Sequence, residues 1–395
     1  MSEVSRSGGW ATLTAASAAA VIIGFASTIL IIMQAAQAVG ATPAQQASWA
    51  AVLCYAMAIS TAVLCWRYKM PIITAWSTPG AVLITSGAAG ITYQSALGAF
   101  VVAGVLMVIT GLVNPLERAI EKMPPAIAAA MLAGVLVTYV LKVPVASLAA
   151  PWMVVPLVFA FFATRIFLPL YAVPVITVFG LALGFASGGM GAACCTLGIT
   201  PLTFDVPQFQ WHAMLGLGVP LYLVTMASQN LPGFAVLRSA GYQPPVSGAL
   251  LTTGVTSIII APFGGHAVNM AAITASLAVG PDAHPDPAQR WKIMFPYFVM
   301  YGLIGLSAAS FVQILGALPK ELVMAIAGLA LFGPLMGGMT AMMNESKDIE
   351  AALVTFLVTA SGFSFYGVGA AFWGLCAGLA LWGVKRFVAQ RILPV

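Results

Sequence analysis

The chain has 395 residues, of which 61% are hydrophobic and only 6% are charged. This composition excludes an ordinary globular protein of two or three soluble domains and indicates a polytopic membrane protein, with membrane lipid as its surroundings. The formal net charge of +5 includes no run of basic residues, so nucleic acid is not an expected partner.

Apolar stretches long enough to cross about 30 Å of hydrocarbon recur along the chain. Interruptions by Pro, Gly and charged residues divide them into predicted segments. These segments are 12–38, 47–66, 71–89, 95–116, 125–142, 151–168, 172–189, 211–237, 246–261, 262–280, 291–315, 320–341, 350–365 and 368–387. The first is too long for the apolar part of a cleaved signal, so we interpret it as a retained span. The predicted fold class is an all-α polytopic membrane protein with 14 transmembrane segments.

The positions of Lys and Arg test this number of segments, because cytoplasmic loops carry most basic residues. With a cytoplasmic N-terminus, thirteen of the fifteen basic residues fall on the cytoplasmic side. Only Lys142 and Lys320 fall outside. We therefore expect a multi-pass protein with both termini in the cytoplasm.

A weak internal repeat relates the two halves of the chain. The stretch "AVGATPAQQASWA" follows the first segment and "SAGYQPPVSGALL" follows the eighth, which aligns Gly40 with Gly241 and Pro43 with Pro244. Seven segments separate the two copies, so they lie on opposite sides of the membrane. The sequence thus predicts 7+7 inverted repeats, as in many secondary transporters.

Each half contains one irregular segment, the third and the tenth. The stretches "PIITAWSTPGAVLITSG" (71–87) and "APFGGHAVNMAAITASLAVG" (261–280) each read as a short strand followed by a half-helix. We predict Thr78 as the N-cap of the first half-helix, with Pro79 at its first helical position, and a second half-helix that begins near Asn269. Two such N-termini meeting at the midplane suit an anion. The alternative is a kinked helix in which Ser and Thr satisfy the backbone and Gly80 allows close packing.

Polar and aromatic side chains near the predicted midplane form the candidate substrate site. Its members are Ser27, Thr28, Trp76, Ser77, Thr78, Gly80, Gln229, Asn230, His266 and Asn269. Trp76 is included because it could stack on an aromatic substrate. Helix–helix contacts, and plain packing for Trp76, are the alternative interpretation.

His266 is the only strongly ionisable residue that we expect deep in the membrane, since all ten carboxylates fall in loops, tails or segment ends. An imidazole can take a proton near neutral pH, so His266 is the candidate for proton coupling. The alternative is a neutral hydrogen-bond donor that never titrates. We expect no cofactor and no metal, because the five cysteines lack C-x-x-C spacing. An enzyme is not expected either, since neither H-E-x-x-H nor a nucleophile elbow occurs.

Several long motifs resemble the bacterial benzoate:proton symporter (BenE-like) family over nearly the whole chain. They are "TAWSTPGA", "LVTMASQNLPG", "SAGYQPPVS", "GPDAHPDPAQRW" and "FLVTASGFSFYGVGAAFWGL". The resemblance implies proton-driven import of benzoate or a similar aromatic carboxylate across the bacterial cytoplasmic (inner) membrane. Carriers of another organic anion or a nucleobase, a passive anion channel and a membrane enzyme are the alternatives.

The same resemblance implies the fold of the uracil/xanthine and sulfate carriers, in which a core domain moves against a gate domain. The core would comprise 1–116 and 191–315, and the gate 117–190 and 316–395. Fold relatives often dimerise, so a homodimer is expected by analogy. In nucleobase relatives the eighth and tenth segments supply acidic ligands. Here Gln229, Asn230, His266 and Asn269 stand in those regions, and amides suit an anion better because like charges repel.

Overall fold

A computed structural model of the chain describes residues 3–113, 124–187, 199–271, 273–344, 347–366 and 368–392. The described part is predominantly helical. Its helices are α1 (Glu3–Ala38), α2 (Pro43–Tyr68), α3 (Thr78–Gly87), α4 (Tyr93–Leu112), α5 (Pro125–Val140), α6 (Lys142–Ala149), α7 (Pro151–Phe167), α8 (Ala172–Ala186), α9 (Trp211–Ser239), α10 (Val246–Ile260), α11 (Ile273–Val279), α12 (Met294–Leu306), α13 (Ala308–Gly316), α14 (Lys320–Ala330), α15 (Phe332–Met343), α16 (Ile349–Ala360) and α17 (Ala370–Ile392). Its strands are β1 (Thr74–Trp76), β2 (Val268–Met270), β3 (Ser364–Phe365) and β4 (Val368–Gly369).

Within the described ranges, eight helical stretches are long and apolar enough to cross a membrane, or nine if one bent pair counts as a single span. That pair is Pro287–Leu306 with Ala308–Gly316, bent by 57°. The predicted polytopic all-α class is confirmed. The other five predicted segments coincide with the shorter helices α3, α7, α8, α11 and α16.

The helices form two packing groups. In the first, α4 packs along α10, α2 along α12, and α1 contacts α3, α11 and α12. In the second, α5 packs against α15 and α16, α16 against α17, and α14 against α6, α7 and α8. The predicted core–gate boundaries at 116/117 and 190/191 lie outside the described residues.

The turns after α1 and α9 have the same geometry, as the proposed repeat predicts for Gly40 and Gly241. These glycines have φ of +80° and +84°, a left-handed conformation that glycine adopts without steric cost. Gly40 N donates to Gln37 O and Ala41 N to Ala36 O, the paired bonds of a helix C-cap. Gly241 N and Tyr242 N donate to the equivalent carbonyl oxygens.

The two irregular segments meet as a pair of strands. Strands β1 and β2 are antiparallel, with Thr74 opposite Met270, Ala75 opposite Asn269 and Trp76 opposite Val268. Extended backbone at membrane depth needs such partners, because no water there can satisfy its polar groups. Helix α2 completes the pairing, since Thr61 Oγ1 accepts from Thr74 N at 3.0 Å. The strand-plus-half-helix prediction is therefore correct for both segments.

Two details of the half-helices were predicted wrongly. The N-cap of α3 is Ser77 rather than Thr78, because Ser77 Oγ accepts from Gly80 N at 3.1 Å and Thr78 is already helical. The second half-helix does not begin near Asn269, which lies in β2 and pairs with Ala75. Helix α11 begins at Ile273 and has seven residues.

Candidate functional site

Ser77 lies where β1 passes into α3 and connects three parts of the fold. Its side chain is fully buried, and its hydroxyl lies 2.9 Å from Thr225 Oγ1 of α9. Its backbone N donates to Ala267 O at 3.2 Å. Because the hydroxyl also caps α3, the start of this half-helix is fixed to both α9 and the chain segment that leads into β2.

His266 fixes the same point from the other side. Trp49 Nε1 donates to His266 Nδ1 at 3.1 Å, and His266 Nε2 lies 2.9 Å from Ser77 O. An indole N–H can only donate and a carbonyl oxygen can only accept, so Nδ1 is the acceptor and Nε2 carries the hydrogen. In this conformation the ring is neutral, fully buried and paired at both nitrogens. The predicted role of His266 in proton coupling stays a prediction, and it requires Trp49 to release Nδ1.

Asn230 connects α9 to strand β2. Its Oδ1 accepts from Met270 N at 2.8 Å, and its Nδ2 donates to Met226 Sδ at 3.2 Å. The backbone of Met226–Asn230 is a π-helical turn, a local widening that is frequent at functional sites. Asn230 therefore stabilises the strand pair, and both ends of its amide are occupied.

Asn269 is buried opposite Ala75 in the strand pair. Its Nδ2 donates to Met270 O at 2.9 Å, whereas its buried Oδ1 has no hydrogen-bond partner among the described residues. An unpaired buried carbonyl oxygen costs free energy, so it marks a position where a donor would be stabilising.

Gln229 differs from its neighbour Asn230. Its side chain is partly exposed and makes no hydrogen bond within the described part of the chain. Thr78 and Ala75, at the start of α3 and in β1, are also partly exposed although they lie inside the bundle. Of the predicted amides, Gln229 is the one whose donors and acceptor are available to a ligand.

Trp76 and Thr28 form a separate contact between β1 and α1. Trp76 Nε1 donates to Thr28 Oγ1 at 2.8 Å, and Thr28 Oγ1 donates to Gly24 O at 2.7 Å. The indole is 3% exposed and lies 6.0 Å from the Phe25 ring and 6.4 Å from the Tyr301 ring. Ser27 lies within α1, but its side chain is outside the described part of the structure.

Gly80 brings α3 close to α9. A Cβ at this position would clash with Leu221 Cδ1 and would lie 2.7 Å from Ser77 Oγ. Gly80 therefore allows close packing of α3 against α9, which was the alternative interpretation from the sequence. Its contact with substrate stays a prediction.

Sequence reasoning missed three residues that hold the candidate site together: Trp49, Thr225 and Met57. Trp49 and Thr225 bond His266 and Ser77, and Met57 Sδ accepts from Trp76 N at 3.1 Å. Thr225 stands in the motif that carries Gln229 and Asn230, so its proximity was a usable signal. Trp49 gave none, because 217 residues separate it from His266.

Comparison with known proteins identifies the family. The family model described as "Benzoate membrane transport protein" matches residues 9–384. The chain belongs to this family. It is 39% identical over 373 residues to "Inner membrane protein YdcO" of Escherichia coli (strain K12), covering 94% of this chain and 95% of that protein. It is 32% identical over 360 residues to "Benzoate membrane transport protein" of Acinetobacter baylyi, covering 91% of each.

Solved structures share the fold at low sequence identity. The transmembrane domain of a cyanobacterial bicarbonate transporter, BicA, superposes with a TM-score of 0.61 at 15% identity, covering 94% of this chain and 97% of that one. The murine anion transporter Slc26a9 in its inward-facing state superposes with a TM-score of 0.62 at 13% identity, covering 96% and 68%. The protein is thus a multi-pass membrane transporter and not an enzyme.

Proposed function

We propose that this transporter imports benzoate or a similar aromatic carboxylate together with protons, by movement of a core domain against a gate domain. The observation that carries the proposal is the partly exposed, unpaired Gln229, which lies about one helical turn after Thr225, the partner of the Ser77 hydroxyl that caps α3. This is a place where a carboxylate can bind without meeting a buried charge. The relative named as a benzoate transporter and the anion transporters with this fold support the choice of substrate class.

The proposed binding mode places the carboxylate at the N-terminal end of α3. The positive end of the helix dipole favours an anion there, and the Thr78 hydroxyl and the Gln229 amide add hydrogen-bond donors. Hydrogen bonds of Ser77, His266 and Asn230 within the protein hold this end of α3 and the strand pair in place. Asn269 lies in the same strand pair, and its amide is buried. The substrate ring would pack beside the Trp76 ring, with Ser27 and Thr28 on the adjoining helix α1.

The proposed transport cycle has the two packing groups as its moving parts. The core would contain 1–116 and 191–315 and the gate 117–190 and 316–395, built from 7+7 inverted segments. The similar turns at Gly40 and Gly241 and the pairing of β1 with β2 support the repeat. Both termini would be cytoplasmic, as the positions of the basic residues favour, and the protein would assemble as a homodimer. The proton would bind His266 or a water-linked polar group.

The deciding experiment is uptake of radiolabelled benzoate into proteoliposomes with and without an imposed pH gradient. We expect accumulation that collapses when a protonophore removes the gradient. Uptake that never exceeds equilibrium would instead indicate a passive anion channel. A competition panel of other aromatic acids, small anions and nucleobases identifies the substrate class, and strong competition by nucleobases alone would overturn the proposal.

A further inference from the structure

A cavity of about 460 Å³ lies away from the Ser77 site, at the face of the protein where α1 ends. Helices α1, α3, α5, α6, α13 and α14 contribute to its wall, so it lies between the two packing groups. Its size is that of a pocket for a small organic ligand. Most of the lining is apolar, with Gln34, Gln37, Thr85 and Tyr139 as polar members.

Two lysines line this cavity, Lys142 and Lys320. They are the two basic residues that the predicted topology places outside the cytoplasmic side. Both are exposed, and no acidic side chain is among the described residues that line the cavity. Lys142 Nζ lies 4.5 Å from the centroid of the Tyr139 ring, which holds it at the wall. The cavity therefore combines an apolar wall with two positive charges, while Glu321, which follows Lys320 in α14, is not among its lining residues.

Tyr139 connects the two packing groups at the wall of the cavity. Its hydroxyl, on α5, donates to Val82 O of α3 at 3.3 Å. Along α3, Val82 lies between the Ser77 cap and Thr85, which lines the cavity. The cavity therefore meets α3 further from the capped end than the candidate substrate site does.

We propose that this cavity is an outer capture site for a small aromatic carboxylate, in which Lys142 and Lys320 attract the anion and the apolar wall receives its ring. The inference rests on the proposed function and adds a second binding step to it. A concave site with charge of one sign raises the local concentration of an opposite ion and its association rate. The energy gained there depends on ionic strength, because salt screens exposed charges.

The test compares initial rates of benzoate uptake by the unsubstituted protein, K142Q/K320Q and the charge-preserving K142R/K320R at about 0.01 M and 0.15 M salt. We expect the Gln variant to raise KM about tenfold at low salt with little change in Vmax, and the difference to shrink at the higher salt. The Arg variant should keep the KM of the unsubstituted protein. Lys292→Gln is the matched control and should leave KM unchanged, because Lys292 lies just before α12, whose Phe295 packs on Trp10 near the start of α1 and not at its end.

The outcomes separate this inference from the proposed function. No benzoate uptake by the unsubstituted protein contradicts the proposed function itself. Normal uptake with the same KM in all four proteins overturns the capture site alone, as does a lower Vmax at constant KM. If KM of the unsubstituted protein rises with the phosphatidylglycerol content of the liposomes while that of K142Q/K320Q does not, the cavity holds a lipid headgroup instead, which also overturns the proposal.

Discussion

Trp49 donates its indole N–H to Nδ1 of His266 across 3.1 Å and so decides which nitrogen of the imidazole carries hydrogen. With Nε2 bonded to the Ser77 carbonyl oxygen, the histidine joins α2 to the start of α3. To accept a proton at Nδ1, the ring must lose the Trp49 bond. Proton binding at His266 would thus be coupled to a rearrangement at the candidate substrate site, which is what a symporter needs.

The first prediction concerns His266→Gln. A glutamine can accept from Trp49 and donate to Ser77 O, so we expect the fold and benzoate exchange to persist. It cannot bind a proton at neutral pH, so accumulation driven by a pH gradient should be lost. Exchange and gradient-driven uptake are measured in the same proteoliposomes. If His266→Gln still accumulates benzoate fully when a pH gradient is imposed, His266 has only a structural role.

The second prediction separates the adjacent amides Gln229 and Asn230. Asn230→Leu leaves Met270 N–H without its acceptor, so we expect about 1–3 kcal/mol lower stability. Gln229→Leu breaks no hydrogen bond of the described structure and should leave stability unchanged, while KM for benzoate rises about tenfold through loss of a donor to the carboxylate. Thermal unfolding in detergent and uptake kinetics are the two measurements. A raised KM with normal stability in Asn230→Leu would reverse these assignments.

Gly80 and Gly87, both in α3, provide the third prediction. Gly80→Ala would push α3 away from Leu221 and disturb the Ser77 cap, at a cost of about 1–3 kcal/mol. Gly87→Ala is the matched control, because the nearest atom to its Cβ, Leu217 Cδ1, would be at an ordinary 3.7 Å. We expect reduced thermal stability and uptake for Gly80→Ala alone. Equal effects of the two substitutions would show that helix propensity, and not packing, limits this position.

How far the sequence predicts this fold depends on whether a feature is local. The strand-plus-half-helix segments were predictable, because Pro71, Pro79 and the surrounding Ser and Thr interrupt a hydrocarbon run that membrane helices otherwise keep. The similar turns after α1 and α9 were predictable from Gly40 and Gly241. The bend between α12 and α13 at Ser307 was not predicted, because the sequence there has Gly305 but no Pro, and 291–315 was predicted as one segment.

The candidate site was predictable in composition but not in its bonding. Both Ser77 and Thr78 are good N-caps before Pro79, and the choice between them follows from the contact of Ser77 with Thr225, 148 residues away. Likewise, nothing in the sequence distinguishes Gln229 from Asn230. Their roles differ because π-helical backbone directs Asn230 at Met270 N and leaves Gln229 partly exposed.

The fourth prediction tests movement between the packing groups through Tyr139. Its hydroxyl bonds Val82 O between α5 and α3, and this bond has to break if the two groups separate at the outer face. Tyr139→Phe keeps the ring and removes about 1 kcal/mol from the closed state, which shifts the closed–open equilibrium about fivefold toward the open state.

Tyr222→Phe is the matched control, because its hydroxyl lies 2.6 Å from Thr110 Oγ1 of α4, a helix of the first packing group against which α9 also packs. We expect Tyr139→Phe to raise the labelling rate of a cysteine introduced at Thr85 by a membrane-impermeant thiol reagent, and Tyr222→Phe to leave it unchanged. Each variant is compared with the Thr85→Cys protein alone, which accounts for the natural cysteines. Equal labelling in all three would show that the Tyr139 bond does not hold the two packing groups together beside the cavity, and their contact there would then rest on apolar packing.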